Sequence, residues 1–142
     1  MTGAQKIWLH VSVALTAITG AVFAWMKYFM KSTDEFAVAN HPWQPHMLAA
    51  HVVIAPVLLF IFGWTFSNHM LPKLRFGDDT RKKSGIASMA LIAPMTLSAY
   101  LLQIATNESL RHAMAVAHWV TSALFVVAYV LHVLNQAAQP SK

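Results

Sequence analysis

There is no cysteine among the chain's 142 residues. That absence excludes disulfides, thiolate metal sites, iron–sulfur ligation and covalent c-type haem attachment within this polypeptide. Charge is nearly as scarce, since Asp, Glu, Lys and Arg make up 11% of residues against 57% hydrophobic, and mean hydropathy is +0.50. Soluble domains carry about 25% charged residues, so a soluble enzyme, a nucleotide fold and an aqueous substrate pocket are all excluded. Repeats and low-complexity segments are missing as well.

What is present comes in long apolar blocks. No charged residue occurs in residues 7–26, 36–72, 84–107 or 112–141. Each block supplies the roughly 20 residues that a helix rising 1.5 Å per residue needs to cross a bilayer core of about 30 Å. The expected fold is therefore all-α, a single integral-membrane four-helix domain over residues 1–142, with spans at about 7–29, 47–71, 84–105 and 110–135. The first apolar stretch exceeds a signal-peptide core and is expected to be retained as an anchor.

Basic residues set the orientation. Lys6, Lys73, Arg75, Arg81, Lys82, Lys83 and Lys142 fall on the side of both termini, against Lys27, Lys31 and Arg111 on the other. The positive-inside rule then predicts cytoplasmic termini in a multi-pass protein. The formal charge of +5 is read as this topology signal, with anionic lipid as its partner; it lacks the aromatic interleaving of a nucleic-acid surface. The outward connector, residues 30–46, carries His41, Pro42, Trp43, Gln44, Pro45 and His46. It reads either as a docking surface for a partner outside the membrane or as an interfacial cap anchored by Trp43.

Eight histidines remain to be explained. Four lie inside spans: His10 in the first, His51 in the second, His118 and His132 in the fourth. Ionisable groups at that depth are costly and point to function. His118 and His132 are 14 residues apart, close to four turns, so they share a face and stand about 21 Å apart along the axis. By depth, His51 is level with His118 near the outer surface, and His10 is level with His132 near the inner one. Two facing histidines at each of two depths are what two bis-histidine haems require, with the second ring nitrogen donating to a carbonyl of its own helix to fix the tautomer. Zinc or copper prefers three or four ligands converging at one depth.

Small residues offer space for a macrocycle or another helix: Ala14, Ala17, Ala21 and Ala24 descend from His10 beside Gly20, and Gly63 lies 12 residues beyond His51. Phe125 and Tyr129 fall on the histidine side of the fourth span.

His in the first span, His in the second and His-x13-His in the fourth resembles the integral-membrane dihaem cytochrome b subunits of respiratory formate dehydrogenases and nickel–iron hydrogenases, over about residues 7–135. The resemblance implies two haem b, an outer one on His51 and His118 and an inner one on His10 and His132, in a bacterial inner membrane. It further implies electron transfer between menaquinone or ubiquinone and an outer-face redox subunit. That partner would be an iron–sulfur protein, a dehydrogenase, or a periplasmic c-type or multihaem cytochrome. The chain is shorter than those subunits and has no recognisable tail for an iron–sulfur partner. By this reading it is an electron-transfer subunit of a membrane oxidoreductase, with quinone chemistry at its inner edge.

Two alternatives stay open. His69 is 18 residues from His51, five full turns, and competes with His10 as inner ligand, although the resulting span of about 27 Å exceeds 21 Å. As a non-ligand, His69 with Asn68 and Lys73 is placed to bind a quinone carbonyl or carry its proton. From another class, the chain reads as a haem-free anchor or small transporter whose histidines relay protons or bind a metal. His41, His46 and His112 lie at or beyond the outer boundary, while Arg111, Lys6, Arg75 and Lys82 read as propionate partners or as snorkelling residues. The third span, without histidine, is expected only to close the bundle.

Overall fold

The computed structural model describes residues 1–76 and 79–137 and is all-helical, with no strand among the described residues. Helices α1 (Gly3–Tyr28), α2 (Gln44–Thr65), α3 (Leu71–Phe76), α4 (Asp79–Ile104) and α5 (Glu108–Ala137) follow in order, with a π-turn at Phe66–Met70 joining α2 to α3. Four segments are long and apolar enough to cross a membrane: Gly3–Tyr28, Gln44–Met70, Lys83–Ile104 and Glu108–Asn135. These match the four predicted spans to within a few residues.

The helix ends differ from expectation for local reasons. α1 begins at Gly3 rather than near residue 7 because Thr2 and Gln5 form a capping box, the Gln5 N–H donating to Thr2 Oγ1 (3.2 Å) and the Thr2 N–H to Gln5 Oε1 (3.0 Å). Two of the orphan amides of the first turn are thereby satisfied. Past the second span, Pro72 does not end helical structure. It sits in the first turn of α3, where its missing N–H costs nothing. Arg81, Lys82 and Lys83, expected in a loop, belong to α4.

The chain divides into two compact units, Met1–Leu71 and Pro72–Lys142. The first is a hairpin of α1 against α2. Its seam is lined by Gln5, Leu9, Ser12, Val13 and Ala24 of α1 and by Leu58, Ile61 and Thr65 of α2, all buried. The spacing within each set follows the three-to-four-residue period of one helix face. Asn40 fastens the connector by donating from Nδ2 to the Lys27 carbonyl (2.7 Å), while its own N–H donates to Gln44 Oε1 (3.0 Å).

In the second unit α4 packs on α5, with Ser88, Ser98 and Phe125 buried. Residues 105–107 join the two helices, and Asn107 caps α5 through Oδ1, which accepts from the Leu110 N–H at 3.0 Å. Glu108 in the first turn complements the helix dipole.

Both hairpins mix polar and apolar side chains at the seam and are apolar outside. Ser12, Thr65, Ser88, Ser98 and Thr121 return their hydroxyl protons to carbonyls three or four residues back, so each is satisfied within its own helix. Large apolar side chains such as Phe60, 74% exposed, project outward. A bilayer supplies no hydrophobic force between helices, so small and hydroxylated residues that permit close contact take that role. The Leu58 side chain, 2% exposed, is packed in this seam, whereas Gly63 has open space where a Cβ would stand. Leu58→Ala is therefore expected to destabilise the protein in detergent by about 1–3 kcal/mol through lost packing, with Gly63→Ala neutral, as read by thermal unfolding.

Candidate functional site

Each hairpin holds two of the four intramembrane histidines, and three rings are fastened by contacts across their own hairpin. His51 of α2 places Nδ1 3.0 Å from the Thr16 carbonyl of α1 and 3.3 Å from Thr19 Oγ1. His118 of α5 places Nδ1 3.0 Å from the Met95 carbonyl of α4. His132 of α5 places Nδ1 3.1 Å from Ser84 Oγ of α4. A carbonyl only accepts, so Nδ1 carries the proton in His51 and His118, and the ring lone pair is then on Nε2. That is the tautomer in which an imidazole ligates a metal through Nε2 while its second nitrogen is held.

The acceptors lie on the neighbouring helix rather than on the histidine's own. A helix carbonyl already bonds the amide four residues on, and the side chain at that position lies over it. Four residues beyond Thr16 is Gly20, and four beyond Met95 is Ala99. Both carbonyls thus have room for donors from the side, and each also accepts a hydroxyl three residues on, Thr19 Oγ1 at 3.2 Å and Ser98 Oγ at 2.9 Å.

Gly20 contributes a second effect. A Cβ there would stand 2.8 Å from His51 Cε1, closer than van der Waals contact permits. His51 occupies the space of an absent side chain. The same relation recurs more loosely in the other hairpin, where a Cβ on Gly85 would stand 3.4 Å from His132 Cε1. The sequence singled out Gly20 beside an alanine stripe, but it gave no sign of Gly85, Ser84 or Met95. Carbonyl acceptors have no signature in residue identity.

The remaining candidates are placed as follows. His10 is half-buried in α1. It lies six to ten residues before the Thr16–Gly20 dock of His51, roughly 9–15 Å along the axis, so the first hairpin carries its histidines at two levels. The second does likewise with His118 and His132. Among the described residues no three or more His, Asp or Glu converge as a metal cluster.

Of the alanine stripe, Ala24 is buried, Ala17 half-buried, and Ala14 and Ala21 exposed. Half of the stripe is therefore turned away from the α2 seam. Phe125 is buried and stacks on Tyr129 at 6.0 Å between centroids.

Asn68 is exposed and His69 half-buried, both within the π-turn. A π-turn bonds i to i+5 and absorbs an extra residue. The count of 18 from His51 therefore loses its phase, and His69 is turned from that face by up to about 100°. The Lys73 and Lys82 side chains lie outside the described residues. His41 accepts the Trp43 N–H at Nδ1 (3.1 Å) in the connector, His46 meets Trp43 edge-on at 5.9 Å, and His112, Arg111, Lys6 and Arg75 are exposed.

No known protein-family model, characterised protein or solved structure matches the chain.

The two glycines make a graded test. Gly20→Ala is expected to push the His51 ring off the Thr16 carbonyl, whereas Gly85→Ala leaves His132 in place. In protein labelled with 15N-histidine, the hydrogen-bonded Nδ1–H resonance of His51 should be lost in the first variant. Both histidine signals should persist in the second.

Proposed function

We propose that this chain is an integral-membrane dihaem cytochrome b that carries electrons between a quinone pool and a redox partner on the outer face of a bacterial inner membrane. The observation that carries this reading is the fastening of intramembrane imidazoles through Nδ1 to a neighbouring helix, with Gly20 leaving the space that one ring fills. What the hold contributes is that it leaves Nε2 as the lone-pair nitrogen of His51 and His118. The pairing of His51 with His118 and of His10 with His132 rests on depth along the sequence.

Bound haem would supply a one-electron iron centre at each of two depths, so that an electron crosses the bilayer in short steps. The work of the chain's own residues is then to bind and orient. His51 and His118 present Nε2 at fixed angles because Nδ1 donates to a carbonyl, His132 is held at Nδ1 by the Ser84 hydroxyl, and His10 completes the set from α1. Low charge along the spans keeps water away from the centres. The Asn68 amide and His69 imidazole, on the irregular turn at the end of α2, would hold quinone oxygens and pass protons there, with Lys73 following in sequence.

Both termini are taken to be cytoplasmic and residues 30–46 to face the partner. With no cysteine the chain holds no iron–sulfur centre or c-type haem, so the second half-reaction falls to that partner. A haem-free anchor or a proton-relaying transporter is the competing class, and the haem content separates them.

The purified protein is expected to contain two b-type haems per chain by pyridine haemochrome; none would end this reading. His51→Ala and His118→Ala should each lose one haem, halving the alpha-band absorbance, and His10→Ala and His132→Ala should each lose the other. His69→Ala should retain both haems and slow their reduction by quinol. If His69→Ala instead lost a haem that His10→Ala kept, the inner ligand would be His69.

A further inference from the structure

Most of the large apolar side chains left exposed stand on the four long helices, where acyl chains cover them. Phe36 and Val38 do not. They stand on the connector between α1 and α2, Phe36 91% exposed and Val38 fully so.

The connector is held in order around them. Ser32 Oγ accepts the Asp34 N–H at 3.1 Å, Asp34 Oδ1 accepts the Phe36 N–H at 3.0 Å, and the Asp34 carbonyl accepts the Ala37 N–H at 3.2 Å. This turn, closed by the Asp34 side chain, fixes the backbone that carries the two residues. Beyond it the chain is tied down at both helices. Asn40 Nδ2 donates at 2.7 Å to the carbonyl of Lys27, one residue from the end of α1, and the Asn40 N–H donates at 3.0 Å to Gln44 Oε1 at the start of α2.

The tether limits how far the apolar pair can stand from the membrane. Val38 is two residues from Asn40 and Phe36 four, so they reach at most about 7 and 14 Å from it along the chain. The helices beginning at Gly3 and Gln44 are both long enough to span, and their ends lie in the headgroup layer, about 5–7 Å deep on each side of the hydrocarbon. Exposed aromatic side chains mark that layer, Trp25, Tyr28 and Phe29 at the end of α1 and Trp43 at the start of α2. Lys27 stands among them with Nζ over the Phe23 and Tyr28 rings, at 5.8 and 5.5 Å, as a snorkelling side chain does. A knob shaped for a soluble protein would stand clear of the bilayer, whereas this one is drawn back to the helix end. Asp34 and Glu35 precede it, and residues 36–39 carry no charge.

We propose that Phe36 and Val38 form a third membrane anchor of the first hairpin, inserted at the boundary of headgroups and acyl chains in the leaflet on the connector's side. The partner of this surface is the lipid itself. Asp34 and Glu35 are left to the aqueous side. The anchor holds α1 and α2 at one depth, and His51, seven residues into α2, is kept about 10 Å below the helix start. Bound haem is not required for any of this.

Because the chain has no cysteine, Glu35→Cys, Phe36→Cys and Val38→Cys each introduce a single site for an environment-sensitive fluorophore. The labelled full chain is placed alone, one copy per disc, in phosphatidylcholine nanodiscs, which leave both faces open to solutes. Labels at 36 and 38 should emit at shorter wavelength than the label at 35. They should be quenched by phospholipid bearing a nitroxide at a shallow acyl position, and should resist aqueous iodide several-fold better. Adding Phe36→Asp to Val38→Cys should return the label at 38 to iodide.

Iodide reaching positions 36 and 38 as readily as 35 overturns the proposal and leaves the pair for a soluble partner. Shielding from iodide without nitroxide quenching overturns it in favour of burial against protein. A label at 38 that stays shielded beside Phe36→Asp overturns it as well.

Discussion

An imidazole inside a bilayer must place its N–H somewhere, because no water reaches it and an unsatisfied donor there costs several kcal/mol. In this chain the requirement is met across helix pairs, and close approach of the helices follows from it. His51 reaches the Thr16 carbonyl only because position 20 is glycine. His118 reaches the Met95 carbonyl over Ala99. The seams accordingly carry hydroxylated residues among their buried apolar ones, and most bulky apolar side chains are turned outward, where acyl chains solvate them.

That constraint gives α4 a part unlike the one its residues imply. A span without histidine reads as filler, yet it supplies the counterpart of both His118 and His132 on α5. The first hairpin uses α1 in the same way for His51. In each hairpin, then, one helix holds imidazole rings carried by the other, α1 for His51 and α4 for His118 and His132.

The spans were legible because a bilayer imposes a length and forbids charge, and both constraints appear directly in residue identity. The histidine positions were legible for the same reason. Helix ends were less so: the Thr2–Gln5 capping box and the run of α4 back to Asp79 depend on local hydrogen bonds that apolar blocks do not report. The π-turn at Phe66–Met70 was invisible, since counting residues assumes an unbroken 3.6-residue period. The anchors of the histidines were hidden most completely. A carbonyl belongs to every residue, and of the positions that leave one open only Gly20 stood out in the sequence. The alanine stripe below His10 shows the converse, a regular pattern of which Ala24 joins the seam while Ala14 and Ala21 are exposed.

Pro94 within α4 lies between the two anchors, one residue before Met95 and ten after Ser84. A proline deletes one rung of the helix ladder and makes that turn its most pliable. The stretch bearing Met95 can therefore tilt without dragging Ser84 along. His118 and His132 rest on one helix that contains a joint, and a disturbance at one end of the membrane need not be felt at the other.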